Sequence, residues 1–282
     1  MYEVHFGLRE RPFSLLPDPR YLFMGHKHST GLAIMEYALL NQAGFCVLTG
    51  EVGSGKTTLV RHLLNLMDEK ITVGLISNTH QSFGTLLQWI LNAYGIECES
   101  REQADMHKAW LDFLIEQYAV GNRTLLIVDE AQNMDASTLE VLRVLSNINA
   151  DQDQIFQVLL VGQPELREVL RRDDMRQFAQ RIVVDYHLAE LDENEIPEYI
   201  RHRLEFAGAQ RKDLFTDGAM HRIALHSGGI PRLVNLLCDT ALVYGYAREA
   251  DAIDETIVSE VVGDKLGGHL VPIRSVRSGG QH

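Results

Sequence analysis

The stretch Gly44 to Leu59, GFCVLTGEVGSGKTTL, restricts the folds open to this chain more than any other. Phe45, Cys46, Val47 and Leu48 make a short apolar run that reads as a buried strand. Gly50, Gly53, Ser54 and Gly55 then form a loop that a Cβ at every position would obstruct. Lys56, Thr57 and Thr58 follow, and Leu59, Val60, Leu63 and Leu64 begin an apolar stripe at helical spacing. Strand, glycine loop and helix fit G-x-x-x-x-G-K-[ST], with Gly50, Gly55, Lys56 and Thr57 in the fixed places. A lone glycine-rich turn before a lysine would lack the flanking strand and helix. The stretch from Gly50 through Glu51, Val52, Gly53, Ser54, Gly55, Lys56 and Thr57 to Thr58 is therefore expected to cradle phosphates. Backbone N–H groups face the anion, and the helix N-terminus adds partial positive charge. Lys56 is expected on the β- and γ-phosphates, and the Thr57 hydroxyl on Mg²⁺. The pattern implies binding of a nucleoside triphosphate such as ATP and says nothing of what the energy is used for.

A second cluster lies downstream at Leu125-Leu126-Ile127-Val128-Asp129-Glu130-Ala131-Gln132. Four apolar residues in a row read as a central parallel strand covered on both faces. Two carboxylates then stand at its C-terminal end, where ligands bind in open α/β sheets. Behind a phosphate loop, Asp129 is expected to hold Mg²⁺, directly or through water, and Glu130 to polarise the attacking water. Phe156 to Val161 is a further strand, ending in Gly162-Gln163-Pro164. Gln163 is a candidate phosphate sensor there, or part of an ordinary strand-to-helix turn.

The remaining chain divides around residue 190. Before it, strands are expected at Ile71 to Ser77 and Ile182 to Leu188, making five in all. Helices are expected at Thr30 to Leu40, Phe83 to Tyr94 and Ala104 to Val120, after Asp135, and from Glu165 to Gln180 with a break near Asp173. After it, four helices are expected, with Asp192, Thr216 and Asp254 as N-cap signals. The expected fold is α/β, a P-loop domain with a five-stranded parallel sheet flanked by helices, plus a small C-terminal all-α lid. The domain reading is an N-terminal arm at 1–28, an ATPase core at 29–190, a helical lid at 191–264 and a disordered tail at 265–282. The arm is rich in proline and aromatic residues; it either packs near the nucleotide site or covers hydrophobic surface.

Composition narrows the class. With 282 residues there is enough chain for one large or two smaller domains. A net charge of −13 argues against a whole surface built for nucleic acid, though not against a local basic patch. Cys46, Cys98 and Cys238 form neither a disulfide framework nor a metal cluster, and fit a reducing cytosol. No segment has the length and apolarity to span a bilayer, and the N-terminus has no secretory h-region. The expected location is cytoplasmic, with any contact to the inner membrane made through a partner.

The strings FGL-x-x-x-PF, PDPRYLF, GEVGSGKTTL, LLIVDEAQN, LLVGQPEL, QRI and GGIPRLVN occur in that order. Together they resemble the ExeA-type (general secretion pathway protein A) family of AAA+ ATPases, over roughly residues 1 to 265. Relatives of this family serve secretion, mannose-sensitive pilus biogenesis and exosortase-associated polysaccharide loci. The resemblance implies that Gly50 to Thr57 is Walker A, Asp129-Glu130 is Walker B and Gln163 is sensor 1. It places Arg232, in GGIPR, at sensor 2, and Arg181, in QRI, at the trans-acting arginine finger, with Arg176 as runner-up. A homo-oligomer, ring or helical, with sites shared between subunits is implied, as are partners from an envelope secretion, pilus or exosortase locus. The family's namesake also carries a membrane span and a periplasmic peptidoglycan-binding module. This sequence shows neither, so cell-wall binding is not expected. Transposon target-selection ATPases share similar GQPEL and GIPR strings, which keeps a DNA-binding transposition regulator as the alternative. The acidic balance disfavours DNA as a partner.

Overall fold

The protein is seen in a computed structural model that describes residues 1–268 and 273, except 17, 69, 78, 80–83, 101, 151, 152 and 212. In chain order, a short α1 (Tyr2–His5) and α2 (His26–Leu40) precede β1 (Phe45–Thr49) and α3 (Lys56–Leu66). Then come β2 (Ile71–Ile76), α4 (Leu86–Ala93), α5 (Gln103–Ala119), β3 (Arg123–Val128) and α6 (Ala136–Leu145). A two-residue antiparallel ladder pairs Asn149–Ala150 with Asp153–Gln154. β4 (Phe156–Gly162), α7 (Pro164–Leu170), α8 (Arg176–Ala179) and β5 (Ile182–His187) follow. The chain continues through α9 (Glu195–Phe206), α10 (Asp217–Ser227), α11 (Pro231–Ala247) and α12 (Glu255–Gly267).

These elements group into two compact units. One holds Met1–Ser29, Glu51–Thr58 and the described residues from Ala189 on; the other holds Thr30–Gly50 and Leu59–Leu188.

The second unit is built on a parallel sheet in the order β2-β3-β4-β1-β5. Strand side chains alternate between its faces. Phe45, Val47, Leu126, Val128, Phe156, Val158 and Leu160 enter a core with residues of α4 to α8. Cys46, Leu48, Leu125, Ile127, Leu159 and Val161 enter a second core with α2 and α3 residues such as Met35, Leu39, Leu59 and Leu63. A sheet covered on both faces requires continuous apolar strands, as β1, β3 and β4 have. The five-stranded parallel sheet flanked by helices is the fold the sequence implied. Trp89, Cys46 and Cys238 are core residues, and His187 is satisfied by Thr49 Oγ1 at 3.1 Å.

Helix starts are set by local side chains. Asp135 accepts the Thr138 N–H at 2.7 Å, Thr216 that of Ala219 at 3.2 Å and Asp254 that of Ile257 at 2.9 Å. Each satisfies an N–H left over by the first turn, for about 1 kcal/mol. Asp192 departs from that pattern: α9 begins at Glu195, and the Asp192 carboxylate pairs with Lys27 at 2.7 Å. Glu195 still reaches back to the Asp192 N–H, at 2.9 Å. The helix expected from Glu165 to Gln180 is broken into α7, a 3-10 turn at Asp173–Met175 and α8.

The first unit has its own core. Tyr2, Phe6, Leu8 and Phe13 of the arm pack with Tyr199, Phe215, Leu237 and Val258 from α9, the stretch before α10, α11 and α12. Arg203 on α9 is buried with them. Its Nε donates to Pro12 O at 2.6 Å, its Nη1 to Tyr199 Oη at 2.9 Å, and its guanidinium lies 4.7 Å from the Tyr21 ring centroid. A carbonyl, a phenol and an aromatic face together replace the water that a buried guanidinium loses. α12 runs to Gly267, so its last turn occupies positions expected in the tail. Apart from Ile273, which joins this core, the tail beyond Gly268 lies outside the described residues.

Candidate functional site

The phosphate loop belongs to the first unit. It leaves β1 at Gly50, whose N–H donates to Gly162 O at 3.2 Å, and ends where Lys56 opens α3. Gly53 and Gly55 have φ of +83° and +102°, a region that side-chain-bearing residues rarely enter. A Cβ on Gly53 would collide with the Arg232 side chain, and one on Gly55 would come within 2.9 Å of His28 Nε2. The Ser54 N–H closes a turn on Glu51 O at 3.1 Å, and Lys56 Nζ donates to the same carbonyl at 2.9 Å. The Ser54 Oγ is buried with no hydrogen-bond partner among the described residues. Lys56 is buried, Thr57 and Thr58 are half-buried, and Glu51 and Val52 are exposed.

Two residues outside the loop hold its shape. His28 is 4% exposed, and its Nε2 lies 3.2 Å from Ser54 O. A carbonyl only accepts, so Nε2 carries the proton. Burial holds the His28 pKa below the ordinary imidazole value, so the ring is neutral. Arg232, exposed on the first turn of α11, donates its backbone N–H to Gly53 O at 3.2 Å. The helix expected from Thr30 begins earlier, at His26, so His28 lies in its first turn; nothing in its sequence spacing pointed to the loop.

The carboxylate cluster belongs to the second unit, at the carboxyl ends of β3 and β4. Asp129 is half-buried; its N–H donates to Ile76 O at 2.8 Å, and its Oδ1 accepts the Glu130 N–H at 2.9 Å. Glu130 is exposed and has left-handed backbone, φ 54° and ψ 36°. Its Oε2 accepts from Gln132 Nε2 at 2.5 Å and from Gln163 Nε2 at 3.3 Å. The Thr79 hydroxyl donates to Glu130 O at 3.2 Å. The structure thus brings Glu130 and Gln163 together and adds Gln132 and Thr79, which the sequence did not single out. Gln132 is visible in the string DEAQ, but strand periodicity says nothing about a residue in the turn beyond the strand.

Arg181 stands directly before β5, at the amino edge of the sheet. It is half-buried; its Nη1 donates to Arg143 O and Ser146 Oγ at the C-terminal end of α6, both at 3.4 Å. Glu130 stands at the opposite edge, so a strand's length, roughly 20 Å, separates the two within this unit. Arg176 is exposed at the start of α8. Among the described residues no group of three or more His, Cys, Asp or Glu side chains forms a metal cluster. None of the described helices is long and apolar enough to cross a membrane.

A family described as an AAA domain matches residues 39–170. The general secretion pathway protein A of Aeromonas hydrophila is 40% identical over 254 residues, covering 90% of this chain and 46% of that protein. An uncharacterised HTH-type transcriptional regulator of Methanocaldococcus jannaschii is 25% identical over 265 residues, covering 88% of this chain and 64% of that protein. The chain therefore spans less than two thirds of either relative. Among solved structures, the Aeropyrum pernix ORC2 protein (ADPNP-ADP complexes) matches with a TM-score of 0.67 at 19% identity. That match covers 95% of this chain and 73% of the other, and speaks to the fold.

Proposed function

We propose that the chain is an AAA+ P-loop ATPase of the general secretion pathway protein A type and that it hydrolyses ATP with Mg²⁺ as an oligomer, a reading supported by its 40% identity to that protein and by the AAA-domain match. The work done is assembly or remodelling of an envelope secretion, pilus or exopolysaccharide export system. The observation that carries hydrolysis, beyond binding, is the Glu130 carboxylate: exposed, set on left-handed backbone and held by two amide donors. A loop that only bound nucleotide would need no such side chain fixed at the end of β3.

The loop fits a chain of phosphates. Gly53 and Gly55 exclude a Cβ, and the buried Ser54 Oγ has hydrogen-bonding capacity unused among the described residues. Lys56 and the loop N–H groups bind the phosphate oxygens; the Thr57 hydroxyl and the Asp129 carboxylate are the oxygen donors that suit Mg²⁺. When bound, the metal neutralises negative charge on the phosphates. Glu130 takes a proton from water as the water oxygen bonds to the γ-phosphorus. The bond to the β–γ bridging oxygen breaks, and ADP leaves with that electron pair. Gln163 and Arg232 donate to phosphate oxygens. Arg181 lies too far from its own Glu130 to act in the same subunit, which supports its service in a neighbour's site. The test is ATP turnover with Glu130→Gln. It should bind ATP as the parent does and hydrolyse it about 10²–10⁴-fold more slowly, the usual contribution of a general base. Parental turnover in that variant would end the proposal.

A further inference from the structure

The carboxamide of Gln132 has its two ends assigned by its surroundings. One end faces the Gln163 N–H at 3.0 Å and the other faces Glu130 Oε2 at 2.5 Å. A backbone N–H only donates, so the first end must be Oε1, and Nε2 must then point at the carboxylate. The side-chain Nε2 of Gln163 adds a second donor to the same Oε2, at 3.3 Å. Among the described residues no hydrogen bond reaches Glu130 Oε1, so one oxygen is held and the other is left to take a proton. Room for this arrangement comes from Gly162, where a Cβ would stand 2.9 Å from Gln132 Oε1 and 3.3 Å from its backbone nitrogen.

Glu130 needs such holding. It is an exposed side chain on backbone of positive φ, which non-glycine residues adopt only where their surroundings impose it. An exposed carboxylate without fixed partners would spread over several rotamers and spend little time aimed at a water. We propose that Gln132 is a positioning residue for the hydrolytic step. It fixes the Glu130 carboxylate through Oε2 and ties that carboxylate to the strand end carrying Gln163, without itself touching nucleotide. The inference rests on the reading of Glu130 as the general base.

Two substitutions separate the two ends of the amide. Gln132→Met keeps length and removes both hydrogen bonds. Gln132→Glu keeps an acceptor for the Gln163 N–H but replaces the donor to Glu130 with a second negative oxygen. Turnover, ATP affinity and thermal melting are measured on the full chain. Both variants should lose about tenfold or more in kcat, as misplaced groups do, with KM and ATP affinity within about twofold of the parent. Gln132→Glu should be the slower, because adjacent carboxylates repel. In a Glu130→Gln background, Gln132→Met should change the residual single-turnover rate by less than about twofold, since the group it positions is gone. Unchanged or raised kcat, a loss confined to KM, or the same fold-loss in both backgrounds would overturn the inference. If Glu130→Gln itself runs at the parental rate, the reading of Glu130 fails. If Glu130→Gln is slow while both Gln132 variants run normally, only the role of Gln132 fails.

Discussion

In the phosphate loop the atoms proposed to hold phosphate are backbone N–H groups, and their directions follow from φ values that glycine permits at positions 53 and 55. In the carboxylate cluster they are side-chain atoms, and their directions follow from hydrogen bonds among residues 130 and 132 on one turn and 163 on another. The loop is shaped mostly by its own backbone, with His28 and Arg232 closing off the space behind two glycines. The cluster exists only because β3 and β4 lie side by side, with Val128 opposite Leu160 in register. A backbone-made site tolerates almost no change at a few positions. A side-chain-made site is spread over more residues and can be weakened by degrees.

The largest effect tests whether these two sets of groups are sufficient within one subunit. Arg181→Ala should bind ATP nearly normally and hydrolyse it about 10³–10⁵-fold more slowly, as loss of an arginine finger does. Mixing it with Lys56→Ala should restore activity, since one variant keeps an ATP pocket and the other keeps the finger. A silent mixture of variants that demonstrably co-assemble would sink the shared site, and Arg176→Ala is the control. Next, Gly55→Ala should weaken ATP binding roughly 5–160-fold, the equivalent of the 1–3 kcal/mol that strained backbone costs. Normal affinity, measured by titration, would break the claim that backbone conformation makes the loop.

Two smaller effects contrast the stability of the units. Arg203→Met strands Pro12 O and takes one of two partners from Tyr199 Oη, which keeps its bond to Asn235 Oδ1, and should cost about 1.5–3 kcal/mol in denaturant unfolding. Asp135→Ala removes the α6 cap, together with the acceptor of the Ser137 hydroxyl, and should cost about 1 kcal/mol. Equal losses would mean that the arm is not pinned by Arg203. Neither should change ATP affinity in the folded protein.

The strand, loop and helix around Gly50 to Thr57 were legible because each rests on interactions a few residues apart: apolar periodicity, glycine conformations and the first helical turn. The same locality made Asp135, Thr216 and Asp254 readable as caps. It also exposed the two-faced burial of β1, β3 and β4, since continuous apolar runs leave no polar face. Asp192 shows where that reasoning stops. Its sequence context favours a cap, yet Lys27, distant in the chain, takes the carboxylate.

By itself, then, the sequence determined the α/β class, the phosphate loop and the acidic strand end, because hydrophobic periodicity and backbone preference act over short stretches of chain. Tertiary structure alone decided that Gln132 would lie between Glu130 and the Gln163 N–H, and that His28 would lie behind Gly55. It likewise set Arg203 against Pro12. Each of these is a contact between polar groups far apart or on different turns, and a hydrogen bond leaves no periodic trace. Its partner is chosen by which strands and helices come to lie together, and that is settled when the core packs.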